Sequence, residues 1–328
     1  MYWNKIKTVL IILFAAADIF FLFNLYRQYM NQNYIDEALL NDTAALLSEA
    51  GITVAEGAVP ERLFEESVVE CRYGEDYYEK IFHRLGGGED YSSFIKTGAL
   101  GQGMKFTSDT NNITAEFYGD FYLRYVKGDV QTRETELSDY LSALTGENPD
   151  GMSAIGNEIL ALLNPVGSSK LRSLVRILEN IPLVESTGNN LKIEFVIEAC
   201  AYDAEKDRYL LNCREYVEDF AVYDSEALVI VEDEEIVWFS GSVIFFEISN
   251  SYVTGLYDQI NILFDEKSYV EENADENEIC EIIKMDLVYC VSWYSGGDMY
   301  YIIPAWRITY SGGTVRIRSA LNGSLYDI

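Results

Sequence analysis

Nucleophilic chemistry needs a serine, cysteine or threonine beside a base, and this sequence supplies one histidine, His83, and five cysteines, Cys71, Cys200, Cys213, Cys280 and Cys290. A Ser-His or Cys-His pair would have to use His83, which falls in a stretch that reads as a helix, Asp76–Leu85. No G-x-S-x-G elbow, P-loop or H-E-x-x-H stretch occurs. Gly101-Gln102-Gly103 runs into a strand rather than a helix, so it is not a phosphate cradle. The cysteines form no C-x-x-C pair and the acids no EF-hand spacing, so neither zinc nor calcium is expected. The 54 acids allow many carboxylate pairs, but none is singled out for glycosidic chemistry. The expectation is a protein that is not an enzyme and carries no cofactor.

Cys200 and Cys213 stand apart from the other thiols. They lie on two β-rich stretches, Leu191–Ala201 and Tyr209–Val217, separated by Glu205–Arg208. In an antiparallel hairpin with that loop the two cysteines face each other, within reach of a disulfide. Two buried free thiols explain the same pattern.

What must position any site is set first by Met1–Met30. Thr8–Tyr26 is an apolar run of nineteen residues, about 28 Å as a helix and close to the thickness of a bilayer core. Trp3 and Tyr26 sit near its ends, as interfacial aromatics do. Lys5 and Lys7 precede it. After Arg27 no Lys or Arg occurs until Arg62, while six acids intervene. The positive-inside rule then places the N-terminus in the cytoplasm and the rest outside. Ala15-Ala16-Ala17 offers a signal-peptidase site, but the run continues through Ile19–Phe23, which favours an uncleaved anchor.

Asp18 sits near the middle of this run. A carboxylate there costs about 2.5–3.5 kcal/mol unless protonated or paired. It is expected to meet a polar group on a partner helix, with Phe21 and Leu22 in the same contact surface; a tolerated lone polar residue is the alternative.

The whole chain of 328 residues has 49% hydrophobic composition, enough for packed cores, and a formal charge of −30. That charge argues against nucleic acid and against lying along anionic lipid. The patterning predicts an α+β protein: a transmembrane helix followed by two α+β modules with antiparallel sheets. The segments are 1–30, tip and transmembrane helix; 31–60, a membrane-proximal helix (Tyr34–Ala50) and linker; 61–184, a first module; and 185–328, a second. In the second, Tyr252–Phe264 reads as an amphipathic helix. Met285–Tyr294, Tyr300–Tyr310 and Thr314–Ala320 read as a meander.

Two stretches carry a family resemblance. Trp3-Asn4-Lys5-Ile6-Lys7-Thr8, running into Asp18-Ile19-Phe20-Phe21-Leu22, resembles the start of YycI (WalI) proteins, with Tyr2 where Asp is usual and Ala17 where Leu is common. Pro304-Ala305-Trp306-Arg307-Ile308, followed by Ser319-Ala320-Leu321-Asn322-Gly323-Ser324, is similar to the end of YycI and of PepSY-like domains, where a Pro-x-Trp strand precedes an Ala-x-x-Gly turn. Pro304, Trp306, Asn322 and Gly323 are thus expected to form a structural motif. The middle of the chain matches by overall pattern only. The resemblance implies a bitopic regulator of Gram-positive bacteria that acts with a YycH-like paralogue on a WalK-like sensor histidine kinase controlling cell-wall metabolism. It also implies tandem α+β modules related to YycH. A PepSY-like binding or inhibitory module on a generic anchor is the alternative.

Overall fold

The structure is a computed structural model that describes residues 19, 21–22, 34–72, 81, 85, 95–98, 104–108, 112–117, 121–136, 164–165, 168–178, 185–186, 191–204, 206–242, 244, 247–273, 280–293 and 299–326. The chain is α+β, with sheets that are mostly antiparallel. Its strands in chain order are β1 Ile52–Val54, β2 Glu65–Arg72, β3 Ile95–Gly98, β4 Met104–Ser108, β5 Ile113–Phe117, β6 Tyr122–Lys127, β7 Asn164–Pro165, β8 Glu185–Ser186 and β9 Ile193–Asp203. They continue with β10 Arg208–Val217, β11 Phe220–Ala221, β12 Glu226–Glu232, β13 Glu235–Ser242, β14 Glu247–Gly255, β15 Cys280–Trp293, β16 Met299–Tyr310 and β17 Val315–Ser319. Helices among the described residues include α1 Glu37–Glu49, α2 Ser168–Leu178 and α3 Gln259–Asn273, and residues 130–136 are helical as well.

The chain divides into two compact units, neither of them continuous in sequence. Unit 1 takes Met1–Glu66, Val253–Leu287 and Pro304–Ile328; unit 2 takes Ser67–Tyr252 and Val288–Ile303. The boundary expected near residue 184 therefore falls inside unit 2.

In unit 1, β1 runs parallel to the start of β15, with Ile52 opposite Cys280, and β17 pairs antiparallel with the second half of β16. Helix α1 begins where Asp36 Oδ1 accepts the Ala38 N–H at 2.9 Å, an N-cap that satisfies one of the helix's orphan donors. Gly51, at φ +78°, follows its end. The helix expected over Tyr252–Phe264 is displaced. Residues 252–255 finish β14, and α3 starts only after Asp258, whose Oδ1 accepts the Asn261 N–H at 2.9 Å. Tyr252 and Val253 are apolar yet exposed, 49% and 67%, so their hydrophobicity was no guide to a buried helical stripe.

Unit 2 is built on a ten-stranded sheet in the order β3-β4-β5-β6-β13-β12-β10-β9-β7, with β11 beside β10. The hairpins β4–β5 and β9–β10 fall where the alternating patterns put them. The sequence does not show that β6 pairs with β13 along Tyr122–Lys127, Trp238 opposite Val126. That pairing joins the two expected modules into one sheet: each hairpin stack left an open edge, and each edge satisfies the other's backbone groups. The central strands β12 and β13 are buried along nearly their whole length. Their sheet is covered on both faces, and such strands read as continuous apolar runs. One face holds Phe106, Phe117, Phe195 and Phe239 together with Leu174 and Leu178 of α2; the other holds Leu210, Leu228, Ile230 and Trp238.

Candidate functional site

Asp18 and His83 lie outside the described residues. Of the apolar run, Ile19, Phe21 and Leu22 are described. All three have helical backbone and side chains 64–68% exposed. Among the described residues no helix is long and apolar enough to cross a membrane.

Cys200 and Cys213 are free thiols, which corrects the bridged alternative. The register running from Asp203 and Arg208 already places Cys200 opposite Leu211, and a bulge between Asn212 and Cys213 then sets Cys213 opposite Ile197. The two cysteines are diagonal rather than direct neighbours. Burial pushes the Cys200 thiol up to about 11 and the fully buried Cys213 thiol far above its ordinary value, so both stay protonated and inert at neutral pH. Cys71 and Cys290 are also free and buried. Among the described residues no group of three or more His, Cys, Asp or Glu side chains is placed to hold a metal ion.

Two buried carboxyl groups organise the polar interior. In unit 2, Glu215 lies on the inward-facing alternation of β10 with Leu211, Cys213 and Val217, all of them buried. Its Oε2 accepts the Ile244 N–H at 2.6 Å, and its own N–H donates to Ser225 Oγ at 3.0 Å. Burial outweighs the bonds that Ile244 N–H and the Ser225 side chain make to the carboxyl and raises it from an ordinary 4.5 to about 8. The Cys71 thiol is raised first by its own burial, with the nearby Glu215 adding to the effect.

In unit 1, Glu266 is fully buried on α3, in a stripe with Ile262, Leu263 and Val270. Tyr310 Oη donates to its Oε2 and Arg318 Nε to its Oε1; Arg316 Nη1 donates to Oε2 at 3.0 Å. Burial and the adjacent Glu266 push the Tyr310 hydroxyl well above the usual phenol range. Arg316 lies over the rings of Tyr269, at 4.5 Å, and Tyr310, at 4.9 Å. Arg318 also donates through Nη1 to Gly323 O at 2.9 Å and through Nη2 to Asp265 O at 3.2 Å. Both guanidinium groups thus hold α3 to β17, and that of Arg318 also ties it to the turn that follows.

Pro304, Trp306, Asn322 and Gly323 come together around this clamp. Trp306 is buried; its Nε1–H donates to Tyr257 O at 2.9 Å, and Phe64 meets its ring edge-on with centroids 5.8 Å apart. Pro304 O accepts the Ala320 N–H at 3.0 Å, and Ala320 O accepts the Tyr257 N–H at 2.6 Å. Asn322 Oδ1 accepts the Ser324 N–H at 3.1 Å, closing an Asx turn. Gly323 has φ +75°, and a Cβ there would lie 2.1 Å from Asp265 Oδ2 and 2.7 Å from the Tyr257 ring.

Sequence reasoning passed over Glu215 and Glu266, although each left a signal. Each is an acid at a position where the period of its element, two for the strand and 3.6 for the helix, demands an apolar residue.

No family model matches the chain, and no curated protein matches it. Among solved structures it is similar to an uncharacterized protein from Eubacterium rectale ATCC 33656, known from a crystal structure at 1.45 Å resolution. The two are 10% identical, with a TM-score of 0.44, over 84% of this chain and 90% of the other.

Proposed function

We propose that the chain is a membrane-anchored, extracytoplasmic accessory protein that biases a WalK-like sensor histidine kinase between signalling states, together with a YycH-like paralogue. The observation that carries this reading is the apolar run Thr8–Tyr26, with lysines before it, acids after it and Asp18 within it. The exposed, helical Ile19, Phe21 and Leu22 support it, because apolar side chains on a bare helix need lipid or another helix to cover them. Asp18 is the intramembrane contact, with Phe21 and Leu22 beside it. To shift the kinase, the helix must bind one of its states more tightly than the other.

The test replaces Asp18 with Leu and, separately, exchanges Thr8–Tyr26 for an unrelated anchor, then measures co-purification with the kinase and kinase output. Loss of both in each variant is expected. Unchanged association and output in Asp18→Leu removes that residue's role. Full regulation by the exchanged-anchor protein transfers the role to the ectodomain, as a PepSY-like binding or inhibitory module.

A further inference from the structure

Strand β9 closes one side of the unit 2 sheet only in part. Strand β7 pairs with it at Tyr202 and Ala201, and β10 pairs along its other edge from Asp203 to Ile193. Between Ile193 and Ile197 the edge away from β10 has no strand partner among the described residues. The direction of its backbone groups follows from the register. Glu218 N donates to Lys192 O at 2.7 Å, so Lys192 turns toward β10. Antiparallel pairs alternate. Glu194 and Val196 therefore also turn toward β10, and Ile193, Phe195 and Ile197 aim their N–H and C=O groups outward.

A groove of about 440 Å³ lies along this edge, lined by Ile193–Ile197 on one side and by Leu171 and Val175 of α2 on the other. Leu171 and Val175 are four residues apart and share a helix face, while Leu174 and Leu178 hold α2 to the core. Val175 is left 37% exposed. Phe195 and Ile197 form the floor, and both pack on that same core.

The α2 side of the groove reverses the charge of the chain, and Glu194 on the strand side is paired with Lys192 at 2.8 Å. In a protein of formal charge −30, the stretch 165–178 contains no acid and carries Lys170, Arg172 and Arg176. Arg172 and Arg176 are exposed and one helical turn apart, and among the described residues neither has a carboxylate partner. The same helix that supplies the apolar wall thus carries two exposed guanidinium groups, each next in sequence to a residue of that wall.

We infer that this groove is a docking site for an extended, acidic peptide segment of a partner protein, which adds to β9 as a further strand. Main-chain bonds to Ile193, Phe195 and Ile197 supply affinity. Alternate aliphatic side chains of the peptide enter beside Leu171 and Val175, and its carboxylates meet Arg172 and Arg176. The proposal does not depend on the kinase reading, because it rests on unit 2 alone.

The test uses the full 328-residue chain and a displayed library of random linear dodecapeptides. Selected peptides are synthesised, their binding is measured by fluorescence anisotropy, and the site is read by hydrogen exchange. The expected selection alternates aliphatic residues with Asp or Glu and slows exchange at Ile193, Phe195 and Ile197. Arg172→Glu combined with Arg176→Glu changes only exposed side chains and should weaken binding at least tenfold. Ile193→Pro removes one outward donor at the first residue of the strand, where proline is tolerated, and should weaken it about fivefold. The proposal is overturned if no peptide is selected, if the selected peptides are basic, or if protection falls elsewhere. Full affinity in both variants overturns it too. Protection of the same amides that grows with protein concentration in the absence of peptide also overturns it, since a second copy of the chain then fills the edge.

Discussion

Glu215 holds a proton where an unfolded chain would not. Its carboxyl is raised from 4.5 to about 8 by burial. Between those values the native state binds a proton that the unfolded state has released, so unfolding becomes easier as pH rises. Stability should therefore fall from about pH 5 to pH 8, by an amount on the order of a few kcal/mol. Glu215→Gln should flatten the dependence and leave the variant the more stable at pH 8. Urea titrations of both proteins across that range check this, and parallel curves would refute it. Glu266, also buried, is paired with Arg318 and Arg316. Glu266→Ala leaves the Arg318 guanidinium buried without its carboxylate and should cost about 3–5 kcal/mol. A guanidinium chloride midpoint close to that of the unaltered protein would contradict this.

At the scale of elements, the turn after β17 is set by what it packs against rather than by its own preferences. Gly323→Ala combines a positive φ with a Cβ driven into Asp265 and Tyr257. It should destabilise by about 1–3 kcal/mol, read as a lowered thermal midpoint. Strand hairpins and the first helix were legible because period and caps are local: Asp36 ahead of α1, and the alternation that ends in Leu211, Cys213 and Val217. The third helix was misplaced because exposed Tyr252 and Val253 mimic a buried stripe while still belonging to β14. The Pro304–Trp306 and Asn322–Gly323 stretches were legible as a motif. Their joint partner, Tyr257, was not, since it lies 49 residues before Trp306. The bulge at Asn212 and Cys213 was equally invisible, as a single extra residue leaves no mark in composition.

Across the whole molecule, partner choice between distant strands escaped the sequence. An alternating pattern says that β6 is a strand, not that β13 is its neighbour. The consequence is testable by cutting the chain at the boundary the sequence suggested. Fragments 1–184 and 185–328 made separately should show no cooperative unfolding, because each keeps only part of the ten-stranded sheet. Made together they should recover it. Independent, cooperative melting of either fragment by circular dichroism would mean that the long-range pairing is dispensable.

The clamp on α3 also sets an order of events during synthesis. Glu266 emerges from the ribosome fifty residues before Arg316 and fifty-two before Arg318. Until those two cations arrive, α3 carries a carboxylate it cannot bury, and unit 1 has no way to finish closing. The arginines therefore act as a completion signal read by the fold itself. A chain ended at Tyr310 should leave α3 open to trypsin at Lys267, where cutting of the intact protein is expected to be slow. Extension by the fourteen residues through Arg318 to Ser324 should slow the cut in a single step.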